Sequence, residues 1–430
     1  MALDLSALRR IIADENRLLT GADIPAEYQS DVLGRVHGSA EALAFPLSTE
    51  EVSALLSCAH EHRVPVTPRG AGTNLVGSTV PLEGGIILDL SRMDRVLELD
   101  EDTMTVTVEP GMLLQDLQAY VEARGLFYPP DPGEKASSIG GKQVKDASGL
   151  SLKHLLIGSE GTLAVITKCL LRLVPKPEAS LSVLVPYADL KTGIQSVLTI
   201  LRANANPTAV EFMERKVVAL GERFCGVSYP RPDAGSYILL TFDGRSEEVT
   251  ANAARVRSLA LQNGALDFIE LSDARQCADI WRVRGALVKA VEAVSEQEPV
   301  DIVVPISRTA DFIRFINDLE ARSGMQMVSF GHAGDGNVHL CVVRGERDEE
   351  TWQRELHENM DRAYAEAYRL GGVASGEHGI GLSKRPYFLR QTAKENLQAM
   401  NAIKTALDPQ HILNNGKSYL TGGNNNAGTF

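Results

Sequence analysis

The sequence has few cysteines and lacks long apolar runs. Its five cysteines are widely scattered, and none forms a Cys-x-x-Cys motif. An odd, dispersed set is typical of buried free thiols and argues against a disulfide framework. The longest apolar stretches, such as Ile86–Leu88 and Ile302–Ile306, are strand-sized, whereas a membrane-spanning helix needs roughly 18 apolar residues. We therefore expect reduced thiols and no transmembrane segment.

Positive charge is also in short supply. The chain carries 43 Lys and Arg against 56 Asp and Glu, a net charge of −13 that is spread along its length. This excess of acid argues against non-specific binding to nucleic acid or to an anionic membrane. Asp4, Asp14 and Glu15 occupy the region where a targeting peptide would be basic or apolar, which favours a cytoplasmic protein.

Length and patterning predict two domains. With 430 residues, 44% of them apolar or aromatic and 23% charged, the chain is too long for one ordinary core and is neither disordered nor fibrous. An α/β pattern runs from Ser48 to Val174, and the stiff segment Pro175–Pro177 ends it. Beyond Pro177, strands and helices alternate as in an α+β domain.

Hydrophobic periodicity locates the helices and strands. The helices are predicted at 50–60, after Gly111, and at 191–201, 215–223, 310–322 and 351–370. The strands are predicted at 64–67, 85–90, 95–99, 103–108, 181–185, 237–242, 302–306 and 327–330. Strands 95–99 and 103–108 are expected to form a hairpin.

The first chemical signal is the glycine-rich stretch Pro68–Gly77. Its three glycines directly follow a predicted strand, so main-chain N–H groups can turn towards one anionic group and form a phosphate-binding nest. A plain turn in a surface loop is the competing interpretation. The spacing G-x-G-x-x-x-x-G differs from the dinucleotide fingerprint. Gly416-Lys417-Ser418 is not a Walker loop, because His411 stands where the first glycine would be.

The second signal is Gly158–Thr167, a glycine turn that is expected to lead directly into an apolar strand. Such a turn lets a flat ring lie against the main chain, and Glu160 is placed to bond a polar edge of that ring. Read together with Pro129–Gly133 and Ser137–Gly141, these motifs resemble the FAD-binding half of the vanillyl-alcohol oxidase type flavoproteins. The resemblance is to the glycolate oxidase D-subunit and D-lactate dehydrogenase branch in particular, and it runs from about Tyr28 to Lys417.

The resemblance implies a two-domain α+β flavoprotein. An N-terminal α/β FAD-binding domain would span 1–177, and an α+β, ferredoxin-like substrate or cap domain would span 178–370. Residues 371–418 would return to the FAD domain, and 419–430 would form a flexible tail. The implied FAD-binding residues are Arg69, Gly70, Ala71, Gly72, Thr73, Asn74, Gly77, Ser78, Pro130, Asp131, Ser138, Gly140, Gly141, Gly158, Glu160, Gly161, Ile166 and Asn414.

The third signal is the segment His332–His339. Asp335-Gly336 is a preferred two-residue hairpin turn, and with that turn His332 would lie directly opposite His339. Directly opposed residues have Cβ atoms roughly 4.5–5.5 Å apart on one face, which suits two imidazoles that share a metal ion. A lone histidine is more often structural, but an opposed pair favours a ligand pair.

Gly376–Gly381 supplies residues that this pair lacks. Glu377 would complete a His-His-carboxylate set with an open coordination position, and His378 would remain as a base. Taken alone, Glu377 and His378 favour a functional pair over the alternative of a helix N-terminus or loop acid next to an ordinary surface histidine. In the family resemblance, His332, His339 and Glu377 match metal ligands, either for zinc or for manganese or iron, and His378 matches the catalytic base.

Arg284 is a smaller signal, since a planar guanidinium fork suits the binding of a carboxylate. In the resemblance it corresponds to an arginine that binds the substrate carboxylate, although an arginine on a solvated helix face would look the same. The basic residue that some 2-hydroxyglutarate-type relatives carry shortly afterwards is not evident in Glu296–Val300. This argues against a dicarboxylic substrate.

The sequence departs from the family after Gly141, which is followed directly by Lys142. The family has a further flavin-contacting stretch and a strand pair at this point, so roughly 30–40 residues, enough for several strands, are absent. Either the protein has a true deletion or a segment was left out and the rest numbered continuously. A true deletion would remove part of the flavin wall. Ala164 and Leu150 are mild departures, where the family has glycine and an aromatic residue.

The favoured function is FAD-dependent oxidation of a small D-2-hydroxy acid with a divalent metal. The alternative is a flavin-deficient, non-catalytic metal-binding subunit of the same fold. A nicotinamide dehydrogenase is disfavoured, because no G-x-G-x-x-G motif follows a strand. The electron acceptor would be an electron-transfer flavoprotein, a quinone or an iron–sulfur subunit.

Overall fold

The computed structural model describes residues 4–129, 142–143 and 149–420. The predicted flavin residues Pro130, Asp131, Ser138, Gly140 and Gly141 lie outside these ranges, as does most of the predicted tail. The chain divides into two compact units at Lys176/Pro177 and again at Gly376/Glu377. The predicted boundaries, 177 and 370, lie close to these two positions.

The first unit begins with small sheets and the helices that cover them. A four-stranded sheet has the order β1-β2-β4-β3, a three-stranded sheet the order β5-β6-β8, and β7 pairs with β9. The bounds of these elements are α1 Leu5–Ile11, β1 Leu18–Thr20, β2 Ala42–Ala44, α2 Thr49–His62, β3 Val66–Arg69, β4 Ile86–Asp89, β5 Val96–Asp100, β6 Thr105–Val108, α3 Leu114–Glu122, β7 Leu126–Phe127, α4 Leu152–Leu156, β8 Cys169–Arg172 and β9 Val174–Pro175.

Local sequence explains the best-predicted helix. The Ser48 hydroxyl accepts a hydrogen bond from the Glu51 N–H and caps the start of α2, and Arg63 in the left-handed conformation ends the helix. The apolar face of α2 packs in one core with Ile86 and Leu88 of β4. This packing fixes the parallel pair β3–β4, from which the glycine-rich loop emerges.

The second unit is built on one seven-stranded sheet with the order β13-β10-β12-β11-β15-β16-β14. All its pairings are antiparallel, as is typical of an α+β domain. Its elements are β10 Ala179–Tyr187, α5 Leu190–Arg202, β11 Ala209–Glu214, α6 Arg215–Cys225, β12 Ser236–Gly244, α7 Ser246–Gln262, β13 Ile269–Glu270, α8 Ala274–Gly285, α9 Leu287–Glu292, β14 Gln297–Val303, α10 Thr309–Ser323, β15 Met327–His332, β16 Asn337–Val343 and α11 Glu349–Arg369.

One face of this sheet packs against α6, α8 and α9. Met213, Phe330 and Cys341 from the strands belong to one buried cluster with Val283 and Leu287 from the helices. The strand predicted at 302–306 is found instead at Gln297–Val303. It includes Pro299, which is tolerated because β14 is an edge strand of the described sheet.

The chain then returns to the first unit with α12 Arg385–Gln391 and α13 Lys394–Leu407. Leu413 forms a parallel bridge with Val66 of β3, and Leu413 packs in the same core as α2. The C-terminal segment therefore lies against the strand that carries the glycine-rich loop. Among the described residues, no helix combines the length and the apolar character needed to cross a membrane.

Candidate functional site

The glycine-rich loop begins where β3 ends, at Arg69. Gly72 has a φ of +72°, and a Cβ atom there would lie 2.6 Å from Nε of Arg69. The positive φ favours glycine at this position, and a side chain here would also displace the guanidinium from the loop. Asn74 accepts hydrogen bonds from the N–H groups of Val76 and Ser78 at 3.0 and 2.9 Å and fixes the end of the loop.

Two kinds of donor remain unused on this loop. In the described part of the chain, the N–H groups of residues 71–75 make no hydrogen bond to an acceptor. Nη1 of Arg69 is buried and has no partner among the described residues either, although Nη2 donates to the Glu27 carbonyl at 3.3 Å. Buried polar groups are rarely left unpaired, so Nη1 of Arg69 fits an anionic group such as a pyrophosphate, and the N–H groups of the loop can turn towards the same anion.

The second glycine motif is a turn that is not followed by a strand. Gly158, Glu160 and Gly161 all have positive φ, as expected of the turn. The prediction of a strand directly after it is wrong, because β8 begins only at Cys169. Its neighbour β6 ends opposite Cys169, so the residues before Cys169 have no ladder partner in the described sheet.

Glu160 serves the protein itself. Its Oε1 accepts from the Ile380 N–H at 2.8 Å and the Ser418 hydroxyl at 3.3 Å, and its Oε2 accepts from the Gly381 N–H at 2.8 Å. The Ser78 hydroxyl also donates to Oε2. Four donors from the chain therefore reach the carboxylate. The contact of Glu160 with the edge of a flat ring stays a prediction.

Asn414 and Lys417 tie the two glycine motifs together. The Asn414 amide donates to the carbonyls of Ser78 at 2.9 Å and Glu160 at 2.6 Å. The Lys417 ammonium donates to the same Ser78 carbonyl at 2.9 Å and to Oδ1 of Asn414. Burial lowers the pKa of Lys417 to about 7. The sequence did not identify Lys417, because Gly416-Lys417-Ser418 was considered only as a phosphate loop.

His378 lies in a segment that is hydrogen-bonded to both glycine motifs. The Asn74 amide donates to the His378 carbonyl at 3.3 Å, and Glu160 binds the N–H groups two and three residues further on. The His378 side chain is 19% exposed, and its Nε2 lies 3.9 Å from Oε1 of Glu377. The predicted phosphate loop and the predicted base thus belong to one hydrogen-bonded network within the first unit.

The His332–His339 hairpin of the second unit has a different register from the predicted one. His332 pairs with Asn337, and His339 pairs with Phe330, because residues 333–336 form a four-residue loop. Asp335 causes the difference, since its Oδ1 accepts from the Asn337 N–H at 3.0 Å and closes a side-chain turn inside the loop. The prediction that the two histidines are directly opposed is therefore wrong.

The two imidazoles are nevertheless close. His332 and His339 are diagonal neighbours on one face of the sheet, with ring centroids 5.1 Å apart and ring planes at 82°. Diagonal neighbours on adjacent strands remain within reach of ring side chains. The structure thus brings together the two histidines that the sequence predicted to be neighbours, although the strand register differs from the predicted one.

Glu211 and Arg284 lie beside His332. Oε1 of Glu211 is 2.8 Å from Nδ1 of His332, and Oε2 accepts from Nε and Nη2 of Arg284 at 3.0 and 2.6 Å. Burial raises the pKa of Glu211, but the hydrogen bond from His332 and the charge of Arg284 outweigh that effect and lower it. The sequence indicated Arg284 but not Glu211, since nothing local marks an acid 121 residues before its histidine.

Asp301 lies on the other side of the histidine pair. It is fully buried on β14 and is the register partner of His339. Its Oδ2 accepts from the Ser375 hydroxyl at 2.7 Å and from the Gly376 N–H at 3.0 Å. Gly376 ends the second unit, and Glu377 is the next residue of the chain. Asp301 was also missed by sequence reasoning.

Comparison with known proteins agrees with the two-part organisation. Residues 40–156 match the family model for an FAD binding domain, and residues 176–418 match the C-terminal domain of FAD linked oxidases. Among solved structures of low sequence identity, 4-ethylphenol oxidase from Gulosibacter chungangensis has a TM-score of 0.77 at 16% identity. The superposition covers 97% of this chain and 96% of the chain of that oxidase. These matches show the two-domain fold.

Two relatives are similar over nearly their whole length. D-lactate dehydrogenase of Anaerostipes hadrus is 36% identical, covering 93% of this chain and 94% of the relative, and glycolate oxidase subunit GlcD of Bacillus subtilis is 33% identical, covering 95% and 93%. The first alignment runs over 448 positions, more than the 430 residues here, so the relative has residues without a counterpart. Because its C-terminal family model spans more than half of the chain, this protein belongs to the FAD-linked oxidases, a family of oxidoreductases.

Proposed function

We propose that this protein oxidises a small D-2-hydroxy acid, of the D-lactate or glycolate type, to the 2-oxo acid. The observation that carries the proposal is the network that joins the glycine-rich loop to the segment of His378 through Asn74 and Glu160. A cofactor loop and a proton acceptor that share hydrogen bonds are suited to one reaction. The names of the two relatives supply the substrate class.

The first unit fits FAD. The N–H groups of residues 71–75 and Nη1 of Arg69 would meet the pyrophosphate, since these donors have no acceptor among the described residues. Gly158 and Gly161 present a turn without side chains, and Asn414 fixes that turn relative to the loop. When bound, FAD supplies the acceptor for the hydride that leaves C2 of the substrate.

His332, His339 and Glu377 would hold a divalent metal. Two imidazole nitrogens and one carboxylate are a donor set typical of zinc, and it also suits manganese or iron. The centroids of the two histidine rings are 5.1 Å apart. Asp301, the register partner of His339, accepts a hydrogen bond from the N–H of Gly376, the residue before Glu377. A bound cation supplies a Lewis acid for the carboxylate and hydroxyl oxygens of the substrate.

His378 and Arg284 would act on the substrate directly. His378 takes the hydroxyl proton, so that the hydrogen on C2 can leave with its electron pair and a 2-oxo acid forms. Arg284 binds the substrate carboxylate with the part of its fork that faces away from Glu211. His378 thus removes a proton from the substrate hydroxyl, and Arg284 places a positive charge beside the substrate carboxylate. Neither residue becomes part of the product.

Anaerobic mixing with D-lactate or glycolate tests the proposal. The wild type is expected to copurify with FAD and to lose flavin absorbance with the D acid but not with L-lactate. His378→Ala should keep flavin and metal and reduce the rate of bleaching by about 10²–10⁴-fold. Normal bleaching in His378→Ala would exclude the proposed base, and full activity after exhaustive chelation would exclude the metal. A colourless wild type would favour the non-catalytic subunit.

A further inference from the structure

The side chain of Glu211 touches one histidine of the predicted metal pair and an arginine at the same time. It extends from β11, the strand beside β15, and is 7% exposed. One oxygen faces Nδ1 of His332 at 2.8 Å, and the other accepts two N–H groups of Arg284. The guanidinium of Arg284 also lies over the ring of Phe330, 5.3 Å from its centroid. Packing therefore restrains all three polar side chains.

The contacts determine which ring nitrogen of His332 carries a proton. Arginine stays charged in proteins, and a carboxylate that takes two of its N–H groups is held as the anion. An ionised carboxylate only accepts hydrogen bonds, so Nδ1 of His332 must be the donor. In the neutral imidazole, the lone pair is then on Nε2.

We propose that Glu211 is a positioning residue that selects Nε2 of His332 as a metal ligand before any metal arrives. The carboxylate fixes the tautomer, orients the ring towards His339 and increases the electron density of the ligating nitrogen. Arg284 holds the carboxylate in place. This inference rests on the proposed metal site, and it adds a residue that no sequence motif identified.

A structural role alone would give different results. If Glu211 only balanced the charge of Arg284, its loss would change stability but would affect neither the tautomer nor the affinity for metal. Removing such an outer carboxylate from a metal-binding histidine typically costs about 10–100-fold in metal affinity. Glutamine keeps the size of the side chain and can still accept from Nδ1, so a loss of about 10-fold is expected for Glu211→Gln.

Glu214 provides a matched control on the same strand. It is 6% exposed, and it lies on the opposite face of β11, where it accepts from the Ser329 N–H at 2.8 Å and from the Asn317 amide at 3.2 Å. Glu214→Gln therefore removes a carboxyl group that is as buried as Glu211, although burial raises its pKa, and it leaves the hydrogen bond to His332 unchanged. Any general effect of a lost carboxylate should appear in both variants.

The first experiment uses the full-length, metal-free protein with ¹⁵N-labelled histidine. Ring nitrogen shifts of His332, assigned with His332→Gln, are expected to show a protonated Nδ1 and an unprotonated Nε2 in the wild type and in Glu214→Gln. A wild-type His332 with the proton on Nε2 would overturn the proposal. This measurement does not depend on whether Glu211 variants fold.

The second experiment measures the dissociation constant for Zn²⁺ by competition with a chelating dye. The wild type and Glu214→Gln should bind alike, and Glu211→Gln should bind about 10-fold more weakly. Equal affinity in all three proteins would overturn the role of Glu211 and leave the metal site standing. Absence of a wild-type Zn²⁺ site that His332→Gln removes would instead refute the proposed metal function.

Discussion

The two candidate regions are made from different parts of the polypeptide. In the first unit, the donors that would meet the cofactor are the main-chain N–H groups of residues 71–75, together with Nη1 of Arg69 at the end of β3. In the second unit, side chains from four adjacent strands, β11, β15, β16 and β14, lie in a row across one face. A site of the first kind depends on backbone shape, and a site of the second kind depends on strand register.

This difference predicts where single substitutions act. A change of shape in the glycine loop should remove the cofactor and spare the histidine pair. A change of side chain on the strands should remove the metal and spare the cofactor. Variants that lose both together would show that the two regions are not separate in function.

The largest effect is expected from Gly72→Val. A side chain at this position would overlap the Arg69 guanidinium, and the residue would be forced to a φ of +72°. The purified variant should retain its fold by circular dichroism and contain almost no FAD. Gly125→Val is the matched control, because Gly125 has a φ of +73°, a Cβ atom there has no neighbour within 4 Å, and the residue lies outside the implied FAD-binding set. An FAD content equal to that of the wild type in Gly72→Val would refute the loop assignment.

His332→Ala should abolish metal binding and activity but leave the FAD content unchanged. The variant removes one of three predicted ligands and no residue of the glycine loops. Metal content by mass spectrometry and flavin absorbance measure the two effects on one sample. His357→Ala, a half-exposed histidine on α11, is the control and should change neither quantity. Loss of flavin in His332→Ala would contradict the separation of the two regions.

A smaller effect is expected from Arg284→Lys. Lysine keeps the charge but cannot donate both hydrogen bonds to Glu211, and it loses the planar fork for a carboxylate. The KM for the D acid should rise about 10-fold, corresponding to roughly one hydrogen bond to a charged group. Arg282→Lys, an exposed arginine on the same helix, should have wild-type kinetics. Unchanged kinetics in both variants would assign Arg284 to a structural role.

The smallest effect concerns the pH dependence of stability in the first unit. Burial holds the pKa of Lys417 at about 7 in the folded protein, below its ordinary value of 10.5. The unfolded chain then binds more protons between these two values, so this residue should make the free energy of unfolding rise with pH from about 7 to 10.5. Lys417→Met should flatten the rise in urea unfolding curves. An identical pH profile in the variant would show that Lys417 is not the source.

Local signals in the sequence were sufficient for much of the fold. The helix after Ser48 was predicted within two residues, because capping and apolar spacing agree there. The glycine-rich loop and the histidine pair were also found from spacing. Strand β14 begins five residues before the predicted strand. Pro299 argues against a strand in the sequence, because proline is compatible only with an edge strand and the sequence does not show which strand is at the edge.

The contacts between distant residues were not predictable. The hairpin register was wrong because the Asp335 side chain closes a longer loop than Asp-Gly usually does. Glu211 and Asp301 were missed because each meets its partner only after the sheet has formed. The hydrogen bonds that Glu160 accepts were not predicted either, because three of its four donors come from residues more than 200 positions later in the chain.

The register of strand β11 limits how this site could be moved into another protein. Glu211 and Glu214 extend from opposite faces of the strand, so one inserted or deleted residue between them would turn one of the two acids to the wrong side. A buried anion would then lie without its arginine, and His332 would lose its acceptor. A graft of the His332–His339 hairpin into another scaffold must therefore include β11 in its native pairing, because the hairpin alone lacks the group that prepares its histidine.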